Sequence, residues 1–413
     1  MARAPYPRHL APRLREALAD TPAVLVHGPR QSGKTTLARE VGRRRGYAYL
    51  AFDDDGLVEA VRQDPVGFVS RLPARTILDE VQRVPEIFTS LKAAIDERRT
   101  PGRFVLTGSA NVLLAPTLSD SLAGRLGLLR LHPLSQCELA RRPAGFVDSL
   151  FGGEFASSPG RRLGPQLAER IVAGGYPAAL ARASAPRRSA WYRDYVETLV
   201  QRDVRDLSRI RSLDTLPRLL SLVASHTASL VNVAELAAPF EVSRPTIHDL
   251  VSLLERIFLV ERLPAWHTNR LNRLVKRPKI HVGDTGVASA LLGLDAKSLD
   301  ADRRMLGALL ESFVLQELRR QASALPVPVD FFHLRDRDDF EVDIVLERGN
   351  LVAGIEVKAA ATVAESDFRS LRRLRDTAGK RFAAGIVLHD GSATIRFDER
   401  LYAVPIRALW ETR

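Results

Sequence analysis

The sequence predicts an α/β protein that opens with a parallel sheet and closes with an α+β region. Three observations carry this reading. Strand-like and helix-like patterns alternate over the first ~140 residues. The glycine-rich stretch "GPRQSGKT" directly follows an apolar strand and precedes a helical pattern. Late in the chain, the helix "MLGALLESFVLQELRRQ" precedes an apolar hairpin, "FEVDIVLERGNLVAGIEVKAA".

Length and composition bound the answer. At 413 residues the chain has room for two or three domains, each with its own core. Hydrophobic residues at 45% and charged residues at 27% are ordinary for a globular protein. No apolar run approaches a membrane span, and the arginine-bearing N-terminus lacks an apolar signal segment, so a cytoplasmic location without membrane contact is expected. The single cysteine, Cys137, excludes an intramolecular disulfide and a cysteine-built zinc site. A net charge of +12 suits an anionic partner such as DNA. However, only 7 of the 61 basic residues are lysines, and so strong an arginine bias also follows from genome composition. Against that scarcity, Lys34 and Lys358 each fall inside a candidate site.

Four segments are expected. Residues 1–140 carry the strands "AVLVHG", "YAYLAFD", "RTILDE" and "GRFVLTGS" with helices between them. A Gly-, Pro-, Ser- and Arg-rich stretch opens a linker and helical segment over 141–215. Residues 216–283 read as helix, turn, helix and strand, and 284–413 as the α+β region.

The first segment contains G-x-x-x-x-G-K-T, Gly28 to Thr35. In such a P-loop the backbone of Gly28, Pro29, Arg30, Gln31, Ser32 and Gly33 wraps the phosphates with its N–H groups, Pro29 having none, and leads into a helix N-terminus. Lys34 would contact the β- and γ-phosphates, Thr35 would ligate Mg²⁺, and Thr36 completes the turn. "RTILDE" places Asp79 and Glu80 at a strand end, Asp79 for the Mg²⁺ shell and Glu80 to polarise water. Thr107 or Ser109, closing the strand "GRFVLTGS", would sense the γ-phosphate. Arg125 would stabilise charge in cis or on a neighbouring subunit of a homo-oligomer, or is a solvated arginine. ATP and Mg²⁺ are the expected cofactors.

The chain resembles the prokaryotic AAA-type P-loop ATPases that carry a C-terminal domain of unknown function (number 4143). "GPRQSGKTT", "ILDEVQ", "LTGS", "SLAGR", "PLS", "GGYP", "YVETLVQRDV", "HVGDTGVASAL" and "ESFVLQEL" carry the likeness nearly end to end. The resemblance implies an ATPase core related to origin-recognition and signalling branches and implies no substrate.

In the third segment Ser243 suits an N-cap, Pro245 the first turn, and Ile247, Leu250, Val251, Leu254 and Ile257 a core stripe. The pattern resembles a winged helix. Arg244, Thr246 and His248 would reach a groove, and Arg270, Arg273, Lys276 and Arg277 would form a basic wing. Packing or protein binding is the competing use of such a module.

The hairpin turns at Gly349-Asn350, which sets Ile344 opposite Ile355 and Asp343 opposite Glu356. Val342, Ile344, Leu346, Leu351, Ile355 and Val357 then make one core face. Like charges directly opposite destabilise a sheet. Asp343 followed by Glu356-x-Lys358 matches the restriction-endonuclease-like pattern, in which two carboxylates share a divalent ion and lysine orients water. Glu311 resembles that fold's helix-borne acid and catalytic Lys358 its lysine, although a Glu341–Lys358 cross-strand bridge would also account for the lysine. The expected function is an ATP-driven switch on nucleic acid. Its alternative is a regulatory ATPase whose C-terminal domain binds a protein partner and cuts nothing.

Overall fold

Every residue of β1 (Ala23–His27), an interior strand of the N-terminal sheet, is buried, as a strand covered on both faces requires. The computed structural model describes residues 5–109, 122, 124–153, 155, 161–201, 215–230, 232–240, 242–269, 273, 276–336 and 340–412. The chain divides into two units, Met1–Leu134 with Arg256–Phe258, and Ser135–Glu255 with Leu259–Arg413.

In the first unit, α1 (Leu10–Asp20) leads to β1, and then α2 (Lys34–Arg43), β2 (Ala48–Ala51), β3 (Thr76–Asp79), α3 (Ile87–Glu97), β4 (Phe104–Gly108) and β5 (Leu126–Arg130) follow. The strands form one sheet in the order β2-β3-β4-β1-β5. All four pairings are parallel. Parallel pairing places the carboxyl ends of β1, β3 and β4 along one edge, where open α/β sheets put their ligands. Leu25, Leu78, Phe88, Leu91 and Leu106 build the core on one face. Leu14, Leu37, Val41, Val26 and Val105 build it on the other. This is the P-loop NTPase architecture that the strand and helix alternation predicts.

In the second unit, α4 (Leu216–Ser225), β6 (Ser229–Leu230), α5 (Val233–Ala237), α6 (Arg244–Arg256, its last residue in the first unit), β7 (Val260–Leu263) and β8 (Lys279–Val282) form one run. Their strands pair antiparallel in the order β6-β8-β7. The long helix α7 (Arg303–Ala322) precedes β9 (Asp330–Arg335), β10 (Glu341–Arg348), β11 (Leu351–Lys358), α8 (Arg369–Ala378), β12 (Phe382–His389), β13 (Ile395–Asp398) and β14 (Leu401–Pro405). These six strands form a mixed sheet, β13-β14-β12-β11-β10-β9.

The predicted hairpin register holds from Ile344 opposite Ile355 to Arg348 opposite Leu351, while the expected Asp343–Glu356 and Glu341–Lys358 pairs lie outside the paired stretch. The single core face does not hold. Both faces of the sheet are covered: Ile344, Leu346, Ala353 and Ile355 share a core with Leu309, Leu310 and Phe313 of α7. Val342, Val345 and Val352 pack instead with Leu371 and Leu374 of α8. Val342 leaves the face of Ile344 because the register against β9 shifts between Val342 and Val345, the effect of a β-bulge. Leu351, expected in the core, is exposed beside the turn.

Candidate functional sites

The phosphate loop joins β1 to α2, and its shape follows from its residues. Gly28 has φ 147°, and a Cβ there would lie 2.1 Å from the Leu131 carbonyl oxygen, so no side chain fits. Gln31 (φ 61°) and Gly33 (φ 98°) also lie in the left-handed region, which turns successive N–H groups inward. Lys34 begins α2 and is buried, its ammonium donating to the carbonyls of Gly28 (3.0 Å) and Pro29 (2.8 Å). Arg8, which the motif reading passed over, braces the loop by donating to the carbonyls of Ser32 and His132, each at 2.6 Å. The Ser32 hydroxyl is buried and, among the described residues, makes no hydrogen bond. Arg30 is half-buried and Thr36 exposed.

Asp79, the last residue of β3, is ringed by hydroxyls. Thr35 Oγ1 lies 3.0 and 2.9 Å from its two carboxylate oxygens, Tyr49 donates at 2.7 Å, and Thr107 donates as well. Burial first and then the bond to Asp79 push the Tyr49 phenol upward, so it remains a donor. Thr35 and Asp79 present only oxygen ligands, the donor set that suits a hard cation such as Mg²⁺. Glu80 stands one residue further in left-handed backbone (φ 59°), an uncommon setting that recurs at functional sites. Its Oε2 accepts from Ser109 (2.8 Å) and from Gln82, while its N–H donates to Thr107 (3.2 Å). Thr107 therefore orients Asp79, and Ser109 orients Glu80. Thr35, Thr36, Arg39 and Tyr49 line a cavity of about 480 Å³ beside this group. His27 ends β1 close by, held down to about 4 by burial and then by Arg130 and Lys34. It is neutral at pH 7 and adds no charge to the loop. Arg125 forks onto Asp96 of α3 at 2.5 and 2.9 Å.

The second carboxylate group is built differently. Asp343 Oδ2 accepts the Val357 N–H at 2.9 Å, a cross-strand bond within the hairpin. Lys279 of β8, which no motif singled out, places its ammonium 2.8 Å from Glu311, 2.7 Å from Glu341 and 3.4 Å from Asp343. Glu356 is buried, and Lys358, partly exposed, lies 3.9 Å from its Oε2 and 4.0 Å from Asp367. Glu341 thus bonds Lys279, not Lys358 as the cross-strand alternative expects. Among the described residues, no three or more His, Cys, Asp or Glu side chains are grouped to hold a metal ion.

On α6, Ser243 accepts the Thr246 N–H at 3.3 Å, and Ile247, Leu250, Val251 and Leu254 are buried as the stripe requires. Arg244 and His248 are exposed and Thr246 half-buried. The basic wing is depleted. Arg273 forks onto the buried Glu347 at 2.8 and 2.9 Å and keeps only 11% side-chain exposure. Burial alone would raise Glu347, but the bonds from Arg273 and Trp266 outweigh it and hold the carboxylate below its usual value. Lys276 reaches the Arg335 carbonyl at 3.4 Å, Arg277 is exposed, and Arg270 lies outside the described residues.

The motifs "GGYP", "HVGDTG" and "ESFVLQEL" meet inside the second unit. Asp284 accepts from the N–H groups of Gly175 (2.8 Å) and Gly286 (2.9 Å) and from Arg320 (3.0 Å). A Cβ on Gly174 would lie 2.3 Å from Asp284 Oδ1, so the glycine is sterically required. Arg320 also bonds Glu317 at 2.9 Å, a carboxyl that burial pushes up to about 7 against that arginine's pull. These residues hold the unit together.

Residues 20–140 match a family described as an AAA domain. Residues 164–298 and 306–409 match two domains of unknown function, DUF8612 and DUF4143. Uncharacterized proteins of Mycobacterium tuberculosis and Mycobacterium bovis are each 32% identical to this chain over 401 residues, which is 96% of this chain and 83% of theirs. A looser likeness, at 16% identity and a TM-score of 0.44, extends to a Walker-type ATPase of Pyrococcus abyssi and covers 70% of this chain and 99% of that one.

Proposed function

This chain belongs to one family with the two mycobacterial proteins and is an AAA-type ATPase; from that premise we propose that it is a Mg²⁺-dependent switch acting on nucleic acid through its second unit. The Thr35–Asp79–Thr107 and Glu80–Ser109 arrangement at the sheet edge carries the ATPase half of this reading. The N–H groups of the loop and Lys34 would hold the phosphates, and Thr35 with Asp79 would hold Mg²⁺. Bound Mg²⁺ supplies charge neutralisation at the phosphates. Glu80 would take a proton from the attacking water, and Ser109 would keep its carboxylate aimed. Arg125 would add charge stabilisation, in cis or between copies.

The nucleic-acid half is supported by the net charge of +12 and by the order α4, β6, α5, α6, β7, β8, which is that of a winged helix. In that arrangement Arg244 and His248 stand on the exposed side of the second helix of the pair. The six-stranded sheet is compatible with a restriction-endonuclease-like region used for binding.

The test is ATP turnover by the full chain with and without duplex DNA, together with DNA affinity across salt concentrations. DNA-stimulated turnover and affinity falling steeply with salt are expected, because phosphate contacts release counterions. No binding at low salt overturns the nucleic-acid half and leaves the ATPase intact. The second reading, a regulatory ATPase with a protein partner, gains from one observation: Arg273 is buried against Glu347 and withdrawn from any wing.

A further inference from the structure

We infer that Lys279 is the resident cation of the Glu311–Glu341–Asp343 group beside Glu356, so that Asp343 does not share a divalent metal ion with Glu356. The inference does not depend on whether ATP turnover acts on nucleic acid. Its first ground is occupancy. The ammonium lies within 3.4 Å of Glu311, Glu341 and Asp343, and it is 2% exposed. An ion bridging Asp343 and Glu356 would stand close to that buried ammonium, and like charges in a dry site repel strongly. Asp343 has little left to offer, with one oxygen on the Val357 N–H and the other facing Lys279.

The second ground is the local charge. Glu311, Glu341, Asp343 and Glu356, with Asp367 4.0 Å from Lys358, face Lys279, Lys358 and Arg335, the last 3.8 Å from Glu341. Burial, and next the charge of Asp343, push Glu356 well above the usual carboxyl range. Burial opposes the charge on Lys279, but Asp343, Glu311 and Glu341 outweigh it and raise its affinity for the proton. His281, 3.8 Å from Glu311, is held neutral by burial and by Lys279. Glu356 Oε1 has no hydrogen-bond partner among the described residues, a feature that either a metal or a carboxyl proton would answer.

The consequence is chemical. Phosphodiester hydrolysis at a carboxylate pair draws its nucleophile from metal-bound water, whose pKa the ion lowers. An ammonium does not do this. The Asp343 and Glu356-x-Lys358 pattern therefore serves binding and stability, not cleavage.

Mn²⁺ binding to the nucleotide-free full chain, followed by electron paramagnetic resonance, tests the inference. Wild type and Asp343→Asn should bind the same amount of Mn²⁺ at millimolar concentration, any shared binding belonging to the phosphate-loop site. Lys279→Met should gain one Mn²⁺ that Asp343→Asn then removes. If wild type holds an ion that Asp343→Asn abolishes, or if folded Lys279→Met gains none, the inference fails. Should Lys279→Met not fold, the comparison of wild type with Asp343→Asn decides by itself. DNA nicking that requires Asp343 would also overturn it.

Discussion

Two aspartates end up in opposite electrostatic surroundings. Asp79 is held by the neutral hydroxyls of Thr35, Tyr49 and Thr107, whereas Asp343 faces the ammonium of Lys279 and one backbone N–H. Hydroxyls orient a carboxylate without cancelling its charge, and they can turn their lone pairs toward an arriving cation. An ammonium cancels the charge permanently, because removing it from a buried site leaves acids without a partner. On the proposed reading, the first site is prepared for an exchangeable ion and the second has its cation covalently attached.

The comparison is broken most directly at the phosphate loop. Lys34→Ala should weaken ATP binding by at least about a hundredfold, and Glu80→Gln should retain binding while turnover falls by about 10²–10⁴. Equilibrium nucleotide binding and single-turnover hydrolysis check both, and wild-type turnover by Glu80→Gln would remove its assigned role. At the second site, Lys279→Met should cost about 3–5 kcal/mol in urea unfolding, since it strands buried carboxylates. Adding Asp343→Asn should restore part of that loss, and a cost near zero would show that Lys279 balances nothing.

Acid stability sharpens the contrast further. His27 falls to about 4 in the folded protein from an ordinary value near 6.5. Between those values the unfolded chain binds the extra proton, so stability is full above about pH 6.5 and declines as pH falls toward 4, by about 3 kcal/mol. His27→Gln should flatten that acid limb in a pH series of denaturation curves. Tyr49→Phe removes one hydroxyl from Asp79 and should lower turnover by about tenfold while raising the Mg²⁺ concentration required. Arg125→Ala should have the smallest effect on stability, leaving the unfolding midpoint in place because its pair with Asp96 is solvent-exposed. Turnover should fall, and unchanged turnover would remove the charge-stabilising role proposed for Arg125.

Much of the first site was legible because its chemistry is local. Glycines at fixed spacing, a strand ending in Asp79-Glu80 and a helix beginning at Lys34 are dictated by backbone conformation within a few residues. The hairpin register was legible for the same reason: a two-residue turn and a period of two fix which residues oppose. Neither pattern could show which side of β10 receives Val342, since a bulge against β9 decides it. Nor could either show that Arg273 belongs to Glu347, or Lys279 to Glu311, Glu341 and Asp343. Those partners lie far apart in the chain, and a charge carries no periodicity by which its distant partner can be read. Only burial in one shared low-dielectric site makes the pairing compulsory, and burial is a property of the packed fold.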